Sequence, residues 1–223
     1  MNRIPTYIIG TGGLGRGVLE TVKAKAQHEA NWEIAGFFDD YTPSGEIING
    51  VRVLGTTEEL KGILTFSNIL IAIASPKVKE TIYQRVQSNP YLFFPNLIHP
   101  SVKINDSVNL GKGNILSENV VMSANVEVGD FNLVHFNATL GHDVKIGNYT
   151  GIYPGCNVSG YSVIKDSVLV GTNAAILPSI IIEKNTTVGA GAVVTKDIEA
   201  NCRVAGVPAE HINSVGQKYA EVL

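Results

Sequence analysis

From Leu97 to Ile198 the chain repeats a six-residue unit 17 times without a single insertion. The hexads run LIHPSV, KINDSV, NLGKGN, ILSENV, VMSANV, EVGDFN, LVHFNA, TLGHDV, KIGNYT, GIYPGC, NVSGYS, VIKDSV, LVGTNA, AILPSI, IIEKNT, TVGAGA and VVTKDI. Their second position is always Ile, Leu, Val or Met. The sixth is small or aliphatic everywhere except Asn114 and Asn132. At 44% hydrophobic residues overall, chance does not hold such a register.

Six residues are too few for a helix-containing repeat and suit one short strand plus a turn. Three units close a triangular coil, and stacked coils pair each strand with the next at about 4.8 Å. The second-position aliphatics then point inward as one column through nearly six coils. Asn114 and Asn132 are 18 residues apart, one full coil, and are expected to form an internal hydrogen-bonded ladder. Ordinary crossover rules favour a right-handed connection, so the register alone leaves the hand of the coil open.

Residues 1–96 follow another pattern. TYIIG is a short apolar strand, GTGGLG a glycine loop, and RGVLETVKAKAQ an amphipathic run. WEIAGFFDD is a second strand ending in acids, and VRVLG a third. TTEELKGI opens with threonines followed by glutamates, a capping signature for a short helix. NILIAIA is nearly continuous in apolar residues, as expected of a strand buried on both faces. PKVKETIYQRVQ starts a helix with Pro76 at an allowed early position. Strands alternating with helices predict a small parallel α/β domain.

Gly10-Thr11-Gly12-Gly13-Leu14-Gly15 fits G-x-G-x-x-G between a strand and a helix. Glycines there let backbone approach phosphate, and the helix N-terminus offers free N–H groups. Asp39 and Asp40 end the next strand, where a carboxylate can receive ribose or base donors. A glycine turn without a ligand is the alternative. A dinucleotide site needs two mononucleotide halves and this domain has room for one, which favours a nucleotide-sugar over NAD.

Composition excludes several classes. The formal charge is -3 with no Lys/Arg run, so there is no electrostatic footprint for nucleic acid. No apolar stretch reaches the roughly 18 to 20 residues that span a bilayer. The opening MNRIPTYIIGTGG lacks the marks of a signal peptide. Cys156 and Cys202 form no disulfide framework or zinc-ligand set and read as idle thiols of a reducing cytoplasm. His99 and His135 are 36 residues apart, two coils, which puts them too far apart to share one zinc ion. No metal site is expected.

His142 is the sharper case, in Gly141-His142-Asp143. An imidazole takes a proton near neutral pH, and an adjacent carboxylate raises its basicity and fixes its tautomer. The alternative is an exposed turn histidine without chemistry. Prism coils need no histidine, so the pair invites a chemical explanation.

The hexads, with ATLGHDVKIG (138–147) and GVPAEHI (206–212), resemble the bacterial sialic acid O-acetyltransferase family and its relatives, the UDP- and GDP-4-amino-sugar N-acetyltransferases. The likeness covers nearly the whole chain, including GTGGLG, Asp39-Asp40 and IAIA. It implies an α/β N-terminal Rossmann-like domain (1–96) that binds a nucleotide-sugar. A left-handed parallel β-helix (97–212) would follow, with a tail to 223. It further implies a homotrimer with acetyl-CoA between neighbouring prisms. By the same resemblance His142 is the general base and Asp143 its carboxylate. The coenzyme contacts fall on Gly151, Gly160, Thr172 and Ala190, with backbone N–H groups near Gly160 facing the oxyanion. The sugar-nucleotide contacts fall on Gly12, Gly13, Leu14, Asp39, Asp40 and Ala74, with His135 standing where relatives often carry Asn. Leu14 and Gly151 replace histidines of some relatives, so those side-chain contacts do not transfer.

The implied activity is cytoplasmic, acetyl-CoA-dependent N-acetylation of a UDP- or GDP-linked amino-sugar for glycan biosynthesis. Sugar O-acetylation stays open beside it. A zinc hydratase on the same fold and a non-catalytic nucleotide-binding scaffold are the readings from other classes.

Overall fold

The computed structural model describes residues 3–29 and 31–212, so the tail expected beyond 212 lies outside the described residues. The chain divides into two compact units between Pro100 and Ser101.

The first unit runs β1 (Ile4–Ile9), α1 (Gly13–His28), β2 (Trp32–Phe38), β3 (Ile47–Ile48), β4 (Val51–Gly55), a 3-10 helix (Thr57–Gly62), β5 (Ser67–Ile71), α2 (Pro76–Val86) and β6 (Leu92–Phe93). The sheet order is β3-β4-β2-β1-β5-β6, parallel apart from the β3–β4 pair. The central strands are buried on both faces: Ile8, Ile9, Ile69, Leu70 and Ile71 are at most 3% exposed. Covering them, α1 buries Val18, Leu19 and Val22, and α2 buries Ile82 and Val86. The glutamate-rich segment forms a 3-10 turn rather than an α-helix, with the Thr56 N–H donating to the Glu59 carboxylate at 2.6 Å. Because β2 lies on one side of β1 and β5 on the other, the chain reverses direction there. A crevice opens beyond the carboxyl ends of β1 and β5.

The second unit is a left-handed parallel β-helix. From Asn109 to Val194 the first two residues of every hexad form a two-residue strand. Each strand up to Ala175–Ile176 pairs in parallel with its counterpart 18 residues on, as in Thr139↔Asn157, Lys145↔Val163 and Leu133↔Gly151. Three flat faces result. We call them face one (with Thr139–Leu140), face two (with Lys145–Ile146) and face three (with Gly151–Ile152). The last coil is covered by Arg203–Ala205, parallel to Thr187–Val188, and by antiparallel Glu210–His211.

The inward column holds from Leu116 to Val194, where every second-position side chain is at most 5% exposed. It does not extend to the beginning of the repeat. Lys103–Val108 makes no strand and Ile104 is 38% exposed. That hexad is joined to the coil above through side chains instead of a backbone ladder: the Ser107 hydroxyl accepts the Asn125 N–H at 2.9 Å, and Asn105 Nδ2 donates to the Ser123 carbonyl at 3.4 Å.

The corners follow one rule. In fourteen successive hexads, from Gly113 to Gly191, the fifth residue has φ between 56° and 71°. Only the left-handed region turns the chain this tightly, which explains the Gly and Asn at many of these positions. The expected ladder is present inside: Asn132 N–H donates to Asn114 Oδ1 at 2.8 Å, and Thr150 N–H to Asn132 Oδ1 at 2.7 Å.

Ile164 is fully buried, so Ile164→Ala should cost about 2–5 kcal/mol. Ile104→Ala should stay within about 1 kcal/mol, because its side chain is 38% exposed and lies outside the inward column. Thermal midpoints of the two variants check this. Equal losses would contradict the position at which the prism core begins.

Candidate functional site

The corner that follows face one stacks Ala124, His142 and Gly160 at the fourth hexad position, and Asn125, Asp143 and Tyr161 at the fifth. Asp143 has φ 59°, and its side chain meets the preceding imidazole: His142 Nδ1 lies 2.9 Å from Asp143 Oδ2. Asn125 Nδ2 donates to Asp143 Oδ1 at 3.0 Å from one coil below. The His142 hydrogen bond, and after it the Asn125 bond, hold the Asp143 carboxyl below the usual aspartate range. Ionised, this carboxylate only accepts, so Nδ1 carries the hydrogen; in the neutral ring Nε2 then keeps its lone pair. The imidazole is 54% exposed.

Gly160 is there to leave space. A Cβ at Gly160 would lie 2.6 Å from His142 Cε1 and 2.7 Å from Nε2, so the imidazole lies across this glycine. A Cβ at Gly141 would lie 2.6 Å from the Gly160 nitrogen, so the two coils approach this closely because residue 141 is glycine. The ring of Tyr161 packs against the imidazole at 4.9 Å between centroids and 84° between planes. Asn125 and Tyr161 were not among the residues expected from sequence. Both sit one coil from Asp143 at the same hexad position, which is the signal that identifies them.

The remaining expected prism residues lie elsewhere. His135, Thr172 and Ala190 belong to the corner after face three, and Gly151 is buried on that face. Thr172 and Ala190 are exposed and stack one above the other. His135 is half-buried, which pushes its pKa down, and its Nδ1 accepts the Phe136 N–H at 3.0 Å. One prism therefore brings His142, Asp143 and Gly160 together at one corner and holds Thr172, Ala190 and His135 at another.

In the first unit, the loops after β1, β2 and β5, with the first residues of α1, carry Gly12, Gly13, Leu14, Asp39, Asp40 and Ala74 to the same end of the sheet. Gly12 and Gly13 are exposed, with open space where a Cβ would be. No side chain caps α1, leaving its N-terminal N–H groups for an anion. Gly15 is required by packing, since a Cβ would fall 1.9 Å from the Gly10 carbonyl oxygen. Both acids already have protein donors. Asp39 receives the Thr11 N–H and hydroxyl at 2.8 and 2.9 Å and the N–H groups of Tyr41 and Thr42 at 2.9 and 3.0 Å. Asp40 receives the Thr57 N–H at 2.8 Å, the Thr57 hydroxyl at 3.1 Å and Arg85 Nη1 at 2.9 Å. They tie the glycine loop and the 3-10 turn in place. Beside them lies a cavity of about 250 Å³ that also receives Tyr41, Lys77, Thr81 and Arg85. The last three recur every fourth residue along α2, a helical stripe readable in PKVKETIYQR.

Two family models match the chain: the PglD N-terminal domain over residues 6–86 and the bacterial transferase hexapeptide (six repeats) over residues 161–196. The chain is 32% identical over 172 residues to GDP-perosamine N-acetyltransferase of Escherichia coli O157:H7, covering 76% of each. Its fold matches the acetyltransferase domain of PglB from Neisseria gonorrhoeae with a TM-score of 0.86 and 30% identity, over 93% of this chain and 99% of that one. It also matches PerB from Caulobacter crescentus, solved with CoA and GDP-perosamine. That TM-score is 0.86 at 26% identity, over 94% and 97% of the two chains.

Two outcomes follow from this geometry. In Gly160→Ala a crystal structure should show the imidazole displaced from its place above the coil, with the 2.9 Å bond to Asp143 lost. For Asp39, burial alone would raise the carboxyl, but the N–H donors of Tyr41, Thr42 and Thr11 outweigh it and hold the pKa low. A carboxyl depressed on folding stabilises above its unfolded pKa, about 3.9, and loses that contribution as pH falls through the folded value. The thermal midpoint should fall below about pH 4, and Asp39→Asn should start lower and fall less steeply. A pH-independent gap between the two proteins would contradict the assignment.

Proposed function

Because the chain belongs to the hexapeptide-repeat acyltransferases that act on nucleotide-linked amino-sugars, we propose that it moves an acetyl group from acetyl-CoA to the amine of a GDP-linked amino-sugar of the perosamine type, with His142 Nε2 as general base. The single observation that carries the roles is the His142–Asp143 pair, lying across a glycine that leaves the imidazole room.

The sugar amine attacks the thioester carbonyl, forming the C–N bond while an N–H proton passes to His142 Nε2. Asp143, kept ionised, receives the Nδ1–H and stabilises the imidazolium as it forms. The oxyanion faces the N–H of Gly160. The C–S bond then breaks, and the imidazolium returns its proton to the departing thiolate. The products are the amide and free CoA thiol. Such a base contributes about 100- to 10,000-fold in rate.

The sugar's diphosphate is assigned to the exposed Gly12–Gly13 turn at the start of α1, because the free N–H groups and helix dipole favour anions there. The base is assigned to the cavity lined by Tyr41, Lys77 and Arg85. Gly151, Thr172 and Ala190 are assigned to the coenzyme. Thr172 and Ala190 lie at a different corner from His142, and Gly151 on the face that leads to it, so a second copy must bring them to the imidazole, which supports a homotrimer with sites between chains. Among the described residues no helix is long and apolar enough to cross a membrane. Cys156 and Cys202 are free thiols, which supports a cytoplasmic reaction.

Purified protein with acetyl-CoA and a panel of GDP- and UDP-linked amino-sugars should release CoA thiol fastest with a GDP-linked 4-amino-sugar. Mass spectrometry should place the acetyl group on nitrogen. His142→Ala should lose at least about 100-fold in kcat. Undiminished turnover by that variant removes His142 from the mechanism, and an ester product replaces N-acetylation with O-acetylation.

A further inference from the structure

Three aromatic residues occupy fifth-position corners, where φ is positive: Phe131 at 57°, Tyr149 at 56° and Tyr161 at 61°. A bulky side chain is unfavourable in this region, and Asn, Gly, Ser or Asp fills the other corners. For two of the three, packing offsets the cost. Phe131 is 1% exposed and stacks on Tyr149 with centroids 5.5 Å apart and planes at 5°. Within its own chain Tyr161 has no such shelter. It is 60% exposed, and its ring packs against the imidazole of His142. A strained, exposed aromatic beside a reacting group is an outlier from which function is legitimately inferred.

We propose that Tyr161 is a positioning residue that holds the His142 imidazole in its productive orientation. The inference rests on His142 being the base. The bond to Asp143 fixes one ring nitrogen but not the plane of the ring, which can still pivot about that bond. Gly160 beneath the ring gives it a floor without a wall. The Tyr161 ring, nearly perpendicular at 84°, supplies the wall. Nε2 is thereby aimed at one place, and a general base loses rate steeply when it is misaimed.

The test compares Tyr161→Asn, which installs a side chain that this backbone prefers, with Tyr161→Phe, which keeps the ring. Tyr161→Asn should melt at the same or a higher temperature than the parent while kcat falls roughly tenfold. Its KM values for both substrates should stay within about twofold. Tyr161→Phe should retain parental kcat. In the substrate-free protein, the ring-current shift on the His142 Cε1 proton should vanish in Tyr161→Asn and persist in Tyr161→Phe, with His142→Ala used to assign the resonance. That readout does not depend on turnover, so it separates this proposal from the assignment of His142 as base. Unchanged kcat in Tyr161→Asn overturns the proposal. So does a raised sugar-nucleotide KM at constant kcat, which would make Tyr161 a substrate contact. A Tyr161→Phe variant as slow as Tyr161→Asn would assign the role to the hydroxyl instead.

Discussion

A left-handed residue at every sixth place lets this chain turn a corner, advance two residues as strand, and turn again. Because the period never slips between Asn109 and Val194, each side chain acquires neighbours 18 residues before and after it. Interaction partners are therefore set by arithmetic. Asn114, Asn132 and Thr150 make an interior ladder because they share the sixth position. Asn125, Asp143 and Tyr161 meet because they share the fifth, and His142 lies over Gly160 because they share the fourth. The site is a vertical stack cut through three coils.

That arithmetic also decides how much of the molecule is legible beforehand. Aliphatics at the second position of every hexad are enough to read a triangular parallel coil. The His142–Asp143 pair is legible because its members are adjacent. Gly160 emerges from the residues alone only when it is placed one coil above His142, since its contribution is the absence of an atom. The αL corner was also encoded, as Asn119, Asn125, Asn137, Asn173 and Asn185 at a single repeat position. What the repeat does not encode is where the core begins. Lys103–Val108 keeps the pattern but forms no strand, although Asn109–Leu110 and Val121–Met122 do so with a partner on one side only.

The first unit was legible in kind and less so in detail. Strand, glycine loop, helix and terminal acids follow from order and periodicity. The partners of Asp39 and Asp40 do not, because Thr11, Tyr41, Thr42, Thr57 and Arg85 come from separate loops and a distant helix. Their bonds turn both carboxylates into fasteners for the loops around the crevice. With the acids so engaged, the α1 N-terminus offers donors for a phosphate, and Lys77 on α2 is a cation beside the cavity.

The two halves of the proposed reaction place different demands on assembly. The groups that surround His142, the proposed base, come from one chain within three stacked coils: the Asp143 carboxylate, Asn125 bonded to it, Gly160 beneath the ring and the Tyr161 ring beside it. Thr172 and Ala190, proposed coenzyme contacts, stand at another corner of the same prism, and no rearrangement within the paired coils brings the two corners together. Under the proposed assignment, association with a second copy would be part of the chemistry rather than an addition to stability. A repeat fold suits this arrangement, since a flat, regular face can dock another prism without disturbing the stacked column that holds the imidazole.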